Sequence, residues 1–348
     1  MSNELLSFGG FIIFIVIALA IDLGLFKKDH VISFKEAAIM SSIWVSFAIA
    51  FYFLLIYAGE HLHGISTYGD LADIVKKHSH NVKLIPGNFE SSLNSYRHTL
   101  GVEFITGYIV EYALSVDNIF VMVLIFSAFG VEEKYYHRVL FWGIIGALVM
   151  RFAFIFLGAV LIARFNWITY VFGIFLVYTG ITMFFAKDDD EKIDPENHKV
   201  VKLASKYLRV HPSFEGNHFF YKSAGRWLVT PLFIVLLVVE FTDLIFAVDS
   251  IPAIFSVTKD PYIVFFSNIF AILGLRSMFF LLINVIRKFH YLKTGLAVLL
   301  TFIGLKMLGH HWLTEWGFKT IHSLIIIVGI LALSILASLI FPKKEVAG

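Results

Sequence analysis

Nine runs of about 20 mostly apolar residues recur along the chain, and they constrain its fold more than any other feature does. Each run has the length that an α-helix needs to cross the hydrocarbon core of a bilayer. A transmembrane β-barrel is excluded, because its segments would be about half as long and would alternate apolar with polar residues. The runs are 8–26, 37–57, 104–129, 139–163, 167–186, 228–257, 262–286, 291–309 and 321–341. The sequence therefore predicts an all-α, polytopic membrane helix bundle of about nine transmembrane helices.

Composition agrees with a membrane location. Hydrophobic residues make up 58% of the 348 residues and charged residues 16%, whereas soluble domains carry about 45–50% and 25%. The chain contains no cysteine, which excludes disulfides and thiolate metal ligands within it. The net charge is +2, and no basic patch lies outside the loops, so nothing indicates binding to nucleic acid.

The basic residues predict the orientation in the membrane. Lys and Arg are more than twice as numerous in the C-terminal tail and the loops after odd-numbered runs as in the N-terminus and the other loops. By the positive-inside rule, the N-terminus then lies outside and the C-terminus in the cytoplasm. Because Lys27 and Lys28 follow the first run and no positive charge precedes it, we interpret this run as an anchor and not as a cleavable signal.

Two acidic segments of similar pattern lie inside the apolar runs. One reads Glu111-Tyr-Ala-Leu-Ser-Val-Asp117-Asn118 and the other Asp243-Leu-Ile-Phe-Ala-Val-Asp249-Ser250, with Glu240 three residues before the second segment. A carboxylate near the middle of a membrane costs a few kcal/mol or more, so such residues usually mark an ion or substrate path. Two matched sets of acids are difficult to explain by packing. They indicate the cation site of a membrane transporter.

Hard divalent cations such as Mg²⁺, Ca²⁺ and Mn²⁺ prefer oxygen ligands of the kind that these segments offer. The predicted metal ligands are Asp117, Asp249, Glu111, Asp243 and Glu240, and the further candidates are Asn118, Ser250 and Asp22. Three basic residues in apolar runs are expected to compensate the charge of these acids, namely Arg151, Arg276 and Lys306. We expect Asp117 and Asp249 to bind the ion directly, one from each segment.

The acidic segments begin two related halves of the chain. In each half an arginine follows in the next run, and a glycine of the third run lies 29 residues after Arg151 or 28 residues after Arg276. Three runs per half is an odd number, so the halves enter the membrane from opposite sides, as in the inverted repeats of secondary transporters. The predicted parts are 1–100 for two helices and a polar external loop, 101–186 for the first three-helix repeat, 187–227 for a cytoplasmic linker, 228–310 for the second repeat, and 311–348 for the last helix and a basic tail.

Two further local features bear on the site. Pro252 lies three residues after Asp249, so we expect the helix to break there and to expose carbonyl oxygens to the ion. In the stretch 58–100, four histidines occur among polar residues: His61, His63, His78 and His80. A solvated loop or a short amphipathic segment is the simplest interpretation of this stretch, and collection of metal ions by the histidines is the alternative.

The segments from Glu111 to Val121 and from Glu240 to Ala253 resemble the two signature motifs of the TerC family, most closely its Alx-type members. The resemblance covers nearly the whole chain. It implies a multi-pass protein of the bacterial inner membrane, in the wider LysE-type transporter superfamily. Members of the family are associated with manganese export, and its name comes from tellurium resistance. The motif match carries the five acids over as functional residues, with Asn118 and Ser250 beside them.

The predicted function is export of a divalent metal cation by a secondary transporter. Mn²⁺ is the preferred ion and Ca²⁺ the second, and proton exchange is one form of coupling. The chain has no G-x-x-x-x-G-K-[ST] phosphate loop, so we expect no use of ATP; we also expect no cofactor and no enzymatic activity. The alternative is a membrane scaffold that assists the insertion or metallation of other proteins. An intramembrane hydrolase using Ser115 or Ser250 has less support, because the acidic runs contain no histidine.

Overall fold

The computed structural model describes residues 3–25, 32–78, 82–165, 167–185, 201–203, 206, 208–211, 215–223, 226–283, 291–318 and 320–341. These contain twelve helices and one β-hairpin. The helices are α1 (Asn3–Leu25), α2 (Phe34–Ala58), α3 (Glu60–His63), α4 (Tyr68–His78), α5 (Phe89–Ala128), α6 (Glu133–Arg164), α7 (Ile168–Phe185), α8 (Pro231–Phe255), α9 (Pro261–Leu282), α10 (Leu292–Leu308), α11 (His310–Glu315) and α12 (Thr320–Ile340). The strands β1 (Phe220–Ser223) and β2 (Arg226–Val229) pair antiparallel. The predicted all-α class is confirmed, and the hairpin is an addition to it.

The polytopic membrane architecture is also confirmed. Within the described residues, seven helices are long and apolar enough to cross a membrane: α2, α5, α6, α7, α8, α9 and α12. Two shorter apolar stretches, Phe8–Ala18 in α1 and Thr294–Leu308 in α10, coincide with the first and eighth predicted runs. The total of nine crossings stays a prediction.

Helix α9 is the centre of the bundle. Every side chain from Ile263 to Phe280 is buried, and the helix packs against α2, α5 and α6. Its start is well defined, since the Asp260 carboxylate accepts a hydrogen bond from the Tyr262 backbone N–H at 2.9 Å and Pro261 occupies the first turn, where a helix needs no donor. Polar residues on α9 therefore face other helices and not lipid.

The first helix of each predicted half packs on the second helix of the other half, and the third helices pack on each other. Helix α5 packs on α9, α6 on α8, and α7 on α10. At the α7–α10 crossing, a Cβ added to Gly180 would lie 2.7 Å from the Ala297 carbonyl oxygen, and a Cβ added to Gly304 would lie 2.7 Å from that of Gly173. Gly173 and Ala297 each precede the glycine of their own helix by seven residues. A two-fold relation between the halves would produce this correspondence, and the repeat itself stays a prediction.

The polar stretch 58–100 is mainly helical in its described residues, which agrees with a short amphipathic segment and not with a solvated loop. It forms α3, α4 and the first part of α5, which together we call the cap. Leu71 and Tyr96 of the cap are fully buried. Arg97 Nε donates to Glu60 Oε2 at 2.6 Å and so joins α5 to α3. This hydrogen bond is the main reason that the pKa of Glu60 lies below its ordinary value.

The predicted break at Pro252 is wrong. Helix α8 continues through Pro252 and ends at Phe255. The proline lies in the last turn, so its missing N–H removes only the bond to the Val248 carbonyl, and little helix remains to be disrupted. Its own carbonyl accepts a hydrogen bond from the Ser256 N–H at 3.0 Å. Carbonyl ligands from an unwound segment at this position are therefore not part of the site.

Candidate metal centre in the membrane-spanning helices

Arg151 of α6 is the centre of a buried polar cluster. Its Nη1 is hydrogen-bonded to Glu111 Oε1 and donates to Asn268 Oδ1 at 3.1 Å. Its Nη2 donates to Asp243 Oδ1 at 3.3 Å. A buried charge is tolerated when it is paired and hydrogen-bonded, and the guanidinium group offers five donors to its surroundings. Through Arg151, the first acidic segment is joined to the second.

The two acidic segments also contact each other directly. Asn118 Nδ2 donates to Asp243 Oδ1 at 2.7 Å. Glu111, Ser115 and Asn118 occupy positions i, i+4 and i+7 of α5, while Asp243 and Ser250 occupy positions i and i+7 of α8. At 3.6 residues per turn, each set lies along one side of its helix. Because α5 packs against α8, the polar side of one segment meets that of the other.

Four oxygen atoms of these segments are buried and have no hydrogen-bond partner among the described residues. They are Asp243 Oδ2, Asn118 Oδ1, Ser115 Oγ and Ser250 Oγ. Buried polar atoms are usually hydrogen-bonded, so unsatisfied ones call for an ion, a water or a functional explanation. A carboxylate, an amide and two hydroxyl groups form the kind of oxygen set that Mg²⁺, Ca²⁺ and Mn²⁺ prefer. The cluster around Arg151 contains two carboxyl groups and one guanidinium group, so the acidic groups outnumber the basic one.

Asn268 belongs to this cluster, and the sequence analysis did not identify it. Its Nδ2 donates to Glu111 Oε2 at 3.0 Å, while its Oδ1 accepts from Arg151. The amide thus orients both charged partners. The sequence feature that could have identified Asn268 is its position, since it is an amide within the apolar run 262–286, eight residues before Arg276.

Glu103, a buried acid, is the second residue that the sequence analysis did not identify. It is 3% exposed on α5 and accepts a hydrogen bond from Thr258 Oγ1 at 2.7 Å. It lies eight residues before Glu111 on the same helix. The predicted apolar run begins at residue 104, directly after Glu103, so this acid was not counted among the intramembrane acids.

Glu240 is directed at the backbone of α6. The residue is half-buried, and a Cβ on Gly146 would overlap with its carboxylate. Gly146 precedes Arg151 by five residues on α6. Glu240 and Asp243, which are three residues apart on α8, therefore both face α6, the first at Gly146 and the second at Arg151.

The remaining predicted residues have other positions or are not described. Arg276 contacts His137 Nε2 at 3.2 Å. Lys306 Nζ donates to the Ser256 carbonyl at 2.8 Å, at the C-terminal end of α8, where a positive charge is favourable. Arg151 is one of the three basic residues expected to compensate the acids, and it contacts two of those acids, Glu111 and Asp243. The side chains of Asp22, Asp117 and Asp249 lie outside the described part of the structure.

Comparison with known proteins identifies the family. The model of the integral membrane protein TerC family matches residues 96–346. An uncharacterized membrane protein of Myxococcus xanthus is 44% identical over 332 residues, covering 95% of this chain and 91% of that protein. No solved structure matches the chain.

Two enterobacterial relatives carry the provisional name "membrane-bound redox modulator Alx". The Salmonella typhi protein is 43% identical over 306 residues, covering 87% of this chain and 85% of its own. The Escherichia coli K12 protein is 41% identical over 305 residues, with the same two coverages. None of these names denotes an enzyme. Because the family model matches most of its length and several relatives are more than 40% identical to it, the chain belongs to the TerC family of integral membrane proteins.

Proposed function

We propose that this protein is a secondary transporter that exports divalent metal cations, with Mn²⁺ as the main substrate. The observation that carries the proposal is the set of buried oxygen atoms without partners on the two acidic segments, beside a cluster in which acidic groups outnumber the basic one. A hard divalent cation satisfies both the open oxygen atoms and the acidic groups in excess. Asp117 and Asp249, which neighbour Asn118 and Ser250 in the two segments, supply the further carboxylates that such an ion needs.

Arg151 has a defined role in this proposal. Without a cation, its single positive charge pairs with both Glu111 and Asp243 and offsets part of their charge, which helps the helices to remain packed. A carboxylate that releases a metal ion inside the membrane readily takes up a proton, because an uncompensated buried charge is costly. Exchange of the metal ion for protons therefore uses the same groups. Ca²⁺ fits the same oxygen chemistry and is the second candidate substrate.

The membrane location proposed here is the bacterial inner membrane, with the N-terminus outside. The names of the relatives do not refer to transport, and the name "redox modulator" states an effect on redox state without a mechanism. Because this chain contains no cysteine, it has no thiol–disulfide couple of its own. Control of metal content, which affects redox enzymes and peroxide chemistry, is an indirect route by which a metal exporter modulates redox state.

The proposal is tested by Mn²⁺ flux in proteoliposomes for Asp117→Asn and Asp249→Asn. Each substitution keeps the size of the side chain and removes a charge that the ion needs. We expect flux to fall at least about tenfold, the scale seen when the support of a metal site is lost, while the protein still folds. Asp22→Asn, in the first apolar run and outside the two acidic segments, is the comparison variant. Normal flux in both central variants at equal protein amounts would show that the paired acids are not the ion site.

The second candidate function, a scaffold for other membrane proteins, is favoured by one observation, the folded cap outside the apolar runs. A partner would bind its exposed charges, such as Asp73 and Lys76 on α4. If the protein acts as a transporter, reversing both charges in Asp73→Lys with Lys76→Glu should leave transport unimpaired. These side chains lie on α4, whereas the acidic segments lie on α5 and α8. If cells lose resistance to manganese with this variant while flux in proteoliposomes is unchanged, the scaffold function is supported.

A further inference from the structure

Two histidines and an aspartate from three separate elements meet in a buried position beneath the cap. They are His63 at the end of α3, His78 at the end of α4, and Asp260 just before α9. One nitrogen of each imidazole and one carboxylate oxygen lie within 4.8 Å of one another. The three residues are 8%, 6% and 0% exposed. Side chains that come from elements so distant in sequence converge here through the fold and not through local geometry.

The backbone around each ligand explains this convergence. Gly64 follows His63 with a φ of 66°, a left-handed conformation that ends α3 and turns the chain toward α4. Asp260 is the N-cap of α9, and its Oδ1 accepts the Tyr262 N–H at 2.9 Å. Its Oδ2 is then directed at His63, whose Nε2 lies 2.8 Å away. The Tyr262 ring packs edge-on against the His63 ring with centroids 5.6 Å apart, which limits the rotation of that imidazole.

Capping of α9 does not account for this arrangement. A cap needs one carboxylate oxygen, and Asp260 Oδ1 fulfils that role alone. The second oxygen lies 2.8 Å from His63 Nε2, and the two imidazole rings have centroids 5.1 Å apart. Capping explains neither contact, and buried groups of this kind are hydrogen-bonded, paired or bound to a metal ion. Two imidazole nitrogens and a carboxylate oxygen are a common ligand set for a transition-metal ion.

We propose that His63, His78 and Asp260 bind a divalent transition-metal ion, and that Zn²⁺ is the ion best matched to them. Zn²⁺ takes such ligands at about 2.0–2.1 Å, which in a tetrahedral site places ligand atoms about 3.4 Å from each other. His63 Nε2 and Asp260 Oδ2, now 2.8 Å apart, would separate to about that distance, and all three ligand atoms already lie within 4.8 Å of one another. For the ion to bind, the ligating nitrogen of each imidazole must be unprotonated, so His63 offers the Nε2 lone pair while its ring proton is on Nδ1. The position not occupied by protein is left for water.

This site differs in chemistry and place from the oxygen cluster in the membrane-spanning helices. Its two nitrogen ligands favour Zn²⁺ over Mn²⁺, as the order of stability for first-row ions requires. Along α9, eight residues separate Asp260 from Asn268 of the Arg151 cluster, or about 12 Å of helix axis. A bound ion would fasten α3 and α4 of the cap to the start of the central helix. The inference goes beyond the transport proposal and does not depend on it.

The test is Zn²⁺ binding to the full chain, purified in detergent and stripped of metal with a chelator. We expect one Zn²⁺ per chain, and X-ray absorption of the loaded protein should show two imidazole ligands. The variants are His63→Gln, His78→Gln and Asp260→Asn, the last of which keeps an efficient helix cap. Each should weaken Zn²⁺ binding at least about tenfold and remove the rise in thermal stability that the ion produces. His61→Gln, in an exposed neighbour of the same segment, should change neither quantity.

Two outcomes overturn the proposal. The first is Zn²⁺ binding that is the same in all three variants and in the control. The second is an absorption spectrum of the wild-type protein with no imidazole ligands, which requires no variant and therefore does not depend on the variants folding. Glu111→Gln separates this site from the intramembrane one, because it should leave Zn²⁺ stoichiometry unchanged even if it impairs Mn²⁺ flux.

Discussion

Gly146 occupies a position on α6 where the absence of a side chain has a direct consequence for an acid. The Glu240 carboxylate fills the space that a Cβ would take. One turn earlier, Gly143 has only ordinary contacts, since a Cβ there would lie 3.6 Å from Val239 Cγ1. Two glycines on one helix thus have different roles, and only one of them bears on the site.

A methyl group at these two positions distinguishes their roles. In Gly146→Ala, Glu240 must leave its place against α6, and we expect Mn²⁺ flux to fall severalfold. In Gly143→Ala, flux should be unchanged, and stability should stay equal or rise by up to about 1 kcal/mol, because alanine favours a helix over glycine. Flux in proteoliposomes and thermal unfolding in detergent measure both effects. Equal flux in the two variants would show that the position of Glu240 against α6 does not matter for transport of the ion.

At this scale the sequence predicts some contacts and misses others. Glu111 and Asp243 were identifiable because a charge in an apolar run is costly and therefore rare. Asn268 was not, since a single amide is inexpensive enough in a helix bundle to occur without a role. That Arg151 contacts Glu111 and Asp243 follows only from helix packing, which spacing along the chain does not contain.

Among the helices, the α7–α10 crossing depends most on small residues. Gly180 and Gly304 let the two backbones approach so closely that a Cβ on either would meet main-chain atoms of the other helix. Close approach through glycine is a common basis of helix association in membranes, where apolar burial provides little driving force between helices.

Gly304→Ala should therefore separate these helices. Its Cβ would lie 2.7 Å from the Gly173 carbonyl oxygen and the Val177 nitrogen, and backbone atoms cannot move aside as a flexible side chain can. We expect a loss of about 1–3 kcal/mol, as for other overpacked positions, visible as a lower thermal midpoint in detergent. Gly329→Ala on α12, where a Cβ meets nothing within 4 Å, is the control. Equal midpoints for the two variants would contradict the close crossing.

The long apolar helices were predictable because a bilayer demands a fixed length of apolar sequence. The cap was not, since α4 is short and polar and is held by tertiary contacts such as the Glu60–Arg97 pair. The helix break at Pro252 was predicted from a local rule, but a proline in the last turn removes only one hydrogen bond. The β-hairpin at the boundary between the predicted linker and the second repeat has strands of four residues each, too short for a clear alternating pattern.

Across the whole molecule, the two ends of the bundle are distinct. Helix α8 begins directly after the hairpin and ends near Asp260, so the hairpin and the cap lie at opposite ends of it. Helix α5 likewise runs from the cap to the turn before α6. The positive-inside rule then predicts that the cap is external and that the hairpin and the α5–α6 turn are cytoplasmic.

This orientation is testable because the chain has no cysteine of its own. Lys76→Cys in the cap and Glu132→Cys in the α5–α6 turn replace exposed side chains. An impermeant thiol reagent should label the cysteine at 76 in intact cells and the one at 132 only after the membrane is opened. Labelling of position 132 alone in intact cells would reverse the proposed orientation.

The length of α5 has a mechanical consequence. Its 40 residues form a rod of about 60 Å, roughly twice the thickness of the hydrocarbon core. Glu111 lies more than 30 Å along the helix axis from the cap end of α5 at Phe89. A tilt of about 10° at Glu111 would swing that end by about 6 Å. A rigid tilt of α5 about the charge cluster would therefore move the cap further than it moves the residues of the cluster.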